Sequence, residues 1–133
     1  MMKKVIYTAN APQPVGPYSQ AVAVGDMLYC SGQIALAPAS GVLREADIKI
    51  QTEQVCRNLA AVFAAAGLTL DDTIKTTCFL INAEDFVPFN EVYAQYFTSA
   101  PARSCIMVKD LPKGALVEIE AIACAPAAKT DEQ

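Results

Sequence analysis

A chain of 133 residues has the usual length of one domain and can bury a real core without disulfide or metal staples. Its 53% hydrophobic and 18% charged residues exclude a disordered chain, and a net charge of −4 with ten scattered Lys and Arg lacks the basic stripe of a nucleic-acid binder. Histidine is absent, which excludes Ser-His and Cys-His nucleophiles and His-type zinc sites and leaves acid–base work to Glu, Asp, Tyr, Cys, Lys or bound water.

In chain order, Val5-Ile6-Tyr7 reads as a short strand, followed by a loop over 10–17 in which three prolines and a glycine forbid helix. Tyr18-Ser19-Gln20 closes that loop, where a tyrosine on a rigid Gly-Pro turn is well placed to show its hydroxyl. Residues 21–24 and 27–30 form two strands around Gly25-Asp26, a two-residue connection that suits a type II′ turn better than I′. The second strand runs into Ser31-Gly32. A glycine in a strand pattern marks a bulge or close backbone approach, so Ser31 and Gly32 are candidates to face a ligand. Asp47 caps a helix running to about Ala66 with Gly67 beyond it, and Val55, Leu59, Val62, Phe63 and Ala66 form its apolar stripe. Nothing on this helix reads as catalytic.

Residues 74–81 are β-rich. A second helix is expected near 85–97, with Pro88 in or near its first turn and Phe86, Phe89, Tyr93, Tyr96 and Phe97 as its buried face. Asn90 lies at the edge of that stripe. A strand follows near 103–108, then the loop 109–114, a last strand at 117–124, and a tail at 126–133 expected to be flexible. One domain over 1–125 is expected, an α+β chain with a mixed sheet of about six strands and two helices on one face. The other sheet face would then be apolar and bare, which with the high apolar fraction suggests an oligomer. Five cysteines, an odd number without a CxxC pair, read as reduced buried thiols. The opening residues lack the apolar run of a secretory signal, no segment has membrane-spanning length, and a cytoplasmic location is expected.

Pro101-Ala102-Arg103-Ser104-Cys105 carries the most chemistry. Arginine at a core edge needs a partner, either a structural carboxylate or the anion of a ligand, which its planar fork can hold bidentately. Period two puts Arg103 and Cys105 on one strand face, and Glu118 and Glu120 together on one face of the last strand. Were these strands paired antiparallel across the 109–116 loop, one register would bring the carboxylates beside Arg103 and Cys105. A one-residue slip would turn them away. The residues alone thus suggest Arg103 as anion clamp, with Glu118 or Glu120 as base and Cys105 nearby.

Gly16-Pro17-Tyr18-Ser19-Gln20, Ser31-Gly32-Gln33-Ile34, Lys75-Thr76-Thr77, Phe89-Asn90 with Tyr93, Pro101 to Cys105, and Glu118-Ile119-Glu120-Ala121-Ile122-Ala123 occur in the order of the signature blocks of the reactive intermediate deaminase (Rid, YjgF-type) family, and the chain resembles its RidA branch. The resemblance implies a chorismate-mutase-like α+β fold, a homotrimer with sites in the clefts between subunits, and no cofactor or metal. It implies hydrolysis of 2-imino acids, reached from enamines such as 2-aminoacrylate, to 2-keto acids and ammonia. Carried over by motif, Arg103 binds the substrate carboxylate, Cys105 contributes mainly by its backbone, and Glu118 orients or activates water. Tyr18, Ser31, Gly32 and Asn90 line the pocket. Two other readings go with these residues: a non-catalytic trimer that binds 2-keto acids, and an endoribonuclease or translation inhibitor, which the acidic, histidine-free composition disfavours.

Overall fold

The computed structural model describes residues 2–127. Six strands, β1 (Lys3–Ile6), β2 (Ala21–Val24), β3 (Met27–Gln33), β4 (Thr73–Leu80), β5 (Ala102–Met107) and β6 (Val117–Cys124), form one mixed sheet in the order β1-β2-β3-β6-β4-β5. Two helices, α1 (Ile48–Ala65) and α2 (Phe86–Tyr96), cover one face. This is the mixed sheet with two helices that the element pattern led us to expect. The expected tail at 126–133 lies mostly outside the described residues. Among those described, no helix is long and apolar enough to cross a membrane.

Local signals account for most element ends. The Asp47 carboxylate accepts from the Ile50 amide at 3.0 Å and starts α1, while Ala66 caps its C-terminus with Gly67 beyond at φ 76°. At the β2–β3 turn Gly25 takes φ 58° and Asp26 keeps a negative φ, the sign pattern of a type II′ turn. The register between β3 and β6 shifts between Cys30 and Gln33, so Ser31-Gly32 is a bulge.

The core lies between the sheet and the helices. Ile6, Ala21, Leu28, Cys30, Cys78, Leu80, Val117, Ile119 and Ala121 point into it and meet Val55, Leu59, Val62 and Phe63 of α1 and Phe89 and Tyr93 of α2. The α2 stripe differs from the sequence reading in one respect. Phe86 is 37% exposed rather than core, and Tyr96 is only half-buried.

Two expectations are corrected. β5 does not pair with β6. It pairs in parallel with β4, which in turn pairs antiparallel with β6 and separates the two. Parallel neighbours need a crossover of a dozen or so residues, and α2 supplies it between β4 and β5. The second correction concerns the uncovered face. No helix covers it, but it is not uniformly apolar. Val5, Val22, Tyr29 and Ile122 lie side by side across four strands, and Lys75 completes that row on β4. Thr77, Glu118, Glu120 and Ser104 occupy the same face farther along, interleaved with Phe79 and Ile106.

Candidate functional site

The register decides which candidate residues can meet. Arg103 lies opposite Thr76, which lies opposite Ala121; Cys105 lies opposite Cys78, which lies opposite Ile119. Arg103 and Cys105 therefore belong to the helix-covered face. Glu118 and Glu120 lie across from Phe79 and Thr77, which pair with Ile106 and Ser104, on the uncovered face. Within one protomer the arginine and the carboxylates stand on opposite sides of the sheet, with β4 between their strands. The candidates thus fall into two groups.

The first is built on β5, an edge strand, and α2. The Arg103 guanidinium donates through Nη1 to Asn90 Oδ1 at 2.8 Å, so Asn90 contacts the clamp directly instead of being an idle core amide. The guanidinium carbon lies 4.8 Å from the Tyr93 ring centre, 5.7 Å from that of Phe86 and 5.8 Å from that of Phe89. Cation–π attraction to three rings holds the charge in a fixed place. Tyr93 is itself pinned by a 2.7 Å hydrogen bond between its hydroxyl and Thr76 Oγ1. No carboxylate of the described residues pairs with Arg103. Cys105 is half-buried beside it. Burial raises the Cys105 thiol and the Arg103 charge only partly opposes this, so it rests as a neutral thiol rather than a thiolate nucleophile. Burial pushes Cys30 and Cys78 up to about 12.

The second group lines a cavity of about 480 Å³ that includes Tyr18, Ser31, Gly32, Glu118 and Glu120, with Pro12, Val15, Leu36, Pro112 and Lys113 among its walls. Gly32 lies in close approach to the Glu118 side chain. A Cβ at this position would lie 2.9 Å from the Glu118 carboxyl carbon and would collide with one of its oxygens. The bulge thus brings bare backbone against the carboxylate. Glu118 is raised above the ordinary glutamate range, first by burial and then by the like charge of Glu120. A carboxylate shifted in this direction is a better base near neutral pH. Ser31 Oγ donates to Ser19 O at 2.6 Å, and the Ser31 amide donates to Gln20 O at 2.9 Å. Ser31 is thereby tied to the Tyr18 loop. The Tyr18 ring is 51% exposed, and its hydroxyl accepts from the Val15 amide at 3.4 Å.

Several residues that shape this cavity were not singled out from the sequence. Gln20, 2% exposed, accepts from the Thr8 amide at 2.8 Å and donates to Thr8 O at 3.0 Å and Pro12 O at 2.9 Å, fixing the 8–15 wall. Helix α1 is not merely a lid. Asn58 donates to Ile34 O at 3.2 Å and Leu36 O at 3.0 Å. Gln51 donates to Arg44 O at 3.1 Å and accepts from the Leu116 amide at 2.9 Å, two residues before Glu118. The readable signal was amides at 51, 54 and 58, spaced along the buried side of an otherwise apolar stripe. Phe86 was read as core and instead flanks Arg103.

Chemically, the first group can hold a carboxylate, and the second can place and deprotonate a water. Among the described residues no cluster of three or more His, Cys, Asp or Glu is placed to hold a metal ion.

Comparison with known proteins agrees with the motif reading. A family model described as Endoribonuclease L-PSP matches residues 8–125. A RutC family protein of Pyrococcus horikoshii is 52% identical over 123 residues, which cover 92% of this chain and 98% of that protein. RidA from an Antarctic Psychrobacter superposes with a TM-score of 0.88 at 43% identity, over 91% of this chain and 98% of its own. E. coli TdcF, crystallised with bound serine, superposes with a TM-score of 0.88 at 42% identity, over 92% and 99% of the two chains. The chain belongs to the Rid (YjgF-type) family, and its mixed sheet with two covering helices is that family's chorismate-mutase-like α+β fold.

Proposed function

We propose that the chain is a hydrolytic deaminase of reactive 2-imino acids such as 2-iminopropanoate and 2-iminobutanoate. The observation that carries this reading is the pair of complementary half-sites on opposite faces of one sheet: a guanidinium without a carboxylate partner among the described residues, and a raised carboxylate in a cavity. Two copies packed uncovered face to β5 edge would bring Arg103 of one against Glu118 of the other. A closed ring is the symmetric way to satisfy every copy, and a homotrimer is the ring we propose. The partly apolar uncovered face supports burial between copies.

In this site Arg103 holds the substrate carboxylate, with Asn90 and the three rings fixing its fork. The 2-enamine first takes a proton at C3 and becomes the iminium. Glu118 removes a proton from a water while the water oxygen bonds to C2 and the C=N π pair moves to nitrogen. The protonated Glu118 returns that proton to the amine. Glu118, again a carboxylate, takes the hydroxyl proton as the C–N bond breaks; ammonia leaves, C2 becomes the keto carbon, and Glu118 releases the proton to solvent. Pre-positioned water and a fixed anion clamp supply orientation, and the second carboxylate, Glu120, keeps Glu118 basic. The five free cysteines suit a reducing cytoplasmic setting.

A relative crystallised with bound serine favours a second reading, a binder of small 2-substituted acids without turnover. The experiment that decides is a dehydratase-coupled assay in which 2-iminobutanoate forms and semicarbazide traps what survives. The expected result is faster loss of imine with the wild-type chain. Arg103→Ala should lower kcat/KM by on the order of 3–5 kcal/mol of lost transition-state binding, as when one partner of a buried charge pair is truncated. Unchanged imine lifetime would overturn the deaminase reading; full activity in Arg103→Ala would overturn the site.

A further inference from the structure

The uncovered face of the sheet holds a second hollow, apart from the cavity of Glu118. It encloses about 200 Å³, and Tyr29, Lys75, Thr77, Glu120 and Ile122 border it. Of the residues that line the Glu118 cavity, Glu120 alone also borders this hollow. Lys75 and Tyr29 flank Ile122 from its two neighbouring strands, and Thr77 lies opposite Glu120. The ladder between β4 and β6 shifts register between Thr73 and Lys75, so a bulge sits at the edge of the hollow. Bulges re-aim the side chains beside them and gather next to binding sites.

A separate observation concerns the polar groups themselves. Among the described residues, the Lys75 ammonium and the Glu120 carboxylate enter no ion pair, with each other or with any other group. The nearby hydroxyls are not spoken for either: the Thr76 and Thr73 hydroxyls on the same strand have partners, whereas those of Thr77 and Tyr29 have none. Lys75 and Glu120 are diagonal neighbours across β4 and β6, a relation that sets their stems roughly 7–8 Å apart. Two opposite charges thus border one hollow without meeting.

We propose that this hollow binds a small free α-amino acid in its zwitterionic form. The carboxylate lies against Lys75 and the Thr77 hydroxyl, the ammonium against Glu120, and the side chain along Tyr29 and Ile122. The signs of the two charges decide the class. A dicarboxylate would be repelled by Glu120 and a diamine by Lys75, whereas a zwitterion compensates both. The volume limits the size, since it lies below the roughly 300–1,000 Å³ of sites for drug-sized ligands. In the assembly proposed above, packing takes part of this face from water. An unbridged cation and carboxylate would there each carry a desolvation cost that the ligand offsets. The site does not use Arg103, and it stands whether or not the chain hydrolyses imines.

The test is calorimetry on the full chain with L-alanine and with its two single-charge analogues, propanoate and ethylamine. L-Alanine should bind with a Kd on the order of 1 mM, and each analogue, which keeps one charge, should bind about tenfold weaker or less tightly still. Lys75→Met should weaken L-alanine by about tenfold or more, and Thr77→Val, which keeps both charges, by about threefold. Arg103→Ala should leave the affinity unchanged. No binding of L-alanine to the wild-type chain, or equal binding of either analogue, would overturn the site, and neither result depends on how a variant folds. Binding that survives Lys75→Met but is lost in Arg103→Ala would place the amino acid at the clamp and overturn it as well. Imine hydrolysis without L-alanine binding would overturn this site and leave the deaminase reading standing; the reverse result would do the opposite.

Discussion

At the scale of single residues, the proposed chemistry depends on two charges kept from their ordinary partners. Arg103 has an amide and three aromatic rings where a structural arginine would have a carboxylate. Glu118 has bare backbone at Gly32 and a like charge at Glu120 where a structural glutamate would have a lysine. The direction of the Glu118 shift has a testable sign. Activity needs the deprotonated form, so the acid limb of kcat/KM should lie above the ordinary glutamate range. Glu120→Gln removes the like charge, favours the charged form of Glu118 and should move that limb to lower pH. Linkage gives the stability counterpart. Because the folded pKa is raised, the folded state binds the proton more tightly than the unfolded one. Stability from this group is greatest below the unfolded pKa, falls as pH rises between the unfolded and folded values, and stays lower above them. A pH–rate profile of wild type and Glu120→Gln, with the limb unmoved, would remove Glu118 from the role of base.

At the scale of elements, α1 does more than cover the sheet. Its buried amides tie the strand-to-helix loop and the approach to β6 into one frame behind the cavity. Gln51→Leu would leave the Leu116 amide and the Arg44 carbonyl without their side-chain partner in a partly buried place. The expected cost is about 1–2 kcal/mol of stability, toward the lower part of the range for an unsatisfied polar group because the site is only partly buried. Chemical denaturation at fixed protein concentration measures it, and turnover of the folded variant should fall as well, because Leu116 leads directly to Glu118. A neutral effect would mean that these bonds are replaced by water. The same elements explain what could be read from the chain alone. The start of α1 at Asp47, its end near Ala66 and the II′ turn at Gly25 are written locally, in caps and turn residues. So were Arg103, Glu118, Ser31 and Gly32 as residues of interest, because strand charges and a strand glycine are locally anomalous. The insertion of β4 between β5 and β6 was not legible. Strand order is decided by non-local pairing, and the pattern on 117–124 is the same whichever neighbour it has. The amides of α1 were overlooked for a related reason. An apolar stripe of period 3.6 was enough to explain the helix, and only the loops brought behind it gave Gln51 and Asn58 their partners. Phe86 fits the α2 stripe by spacing, yet the cation beside it, from a distant strand, determines its role.

At the scale of the whole molecule, the sheet itself separates Arg103 from Glu118, so one copy cannot complete the proposed site. The proposed assembly turns this separation into a rule: every site takes Arg103 from one copy and Glu118 from another. The measurement that tests this most directly is subunit mixing. Arg103→Ala and Glu118→Ala chains, each inactive alone, are unfolded, combined in equal amounts and refolded, and imine hydrolysis is then assayed. Random closure into rings should rebuild an intact pair at about one site in four, so activity should return to roughly a quarter of the wild-type level. Mixed oligomers demonstrated by mass spectrometry but as inactive as either parent would contradict a site shared between copies.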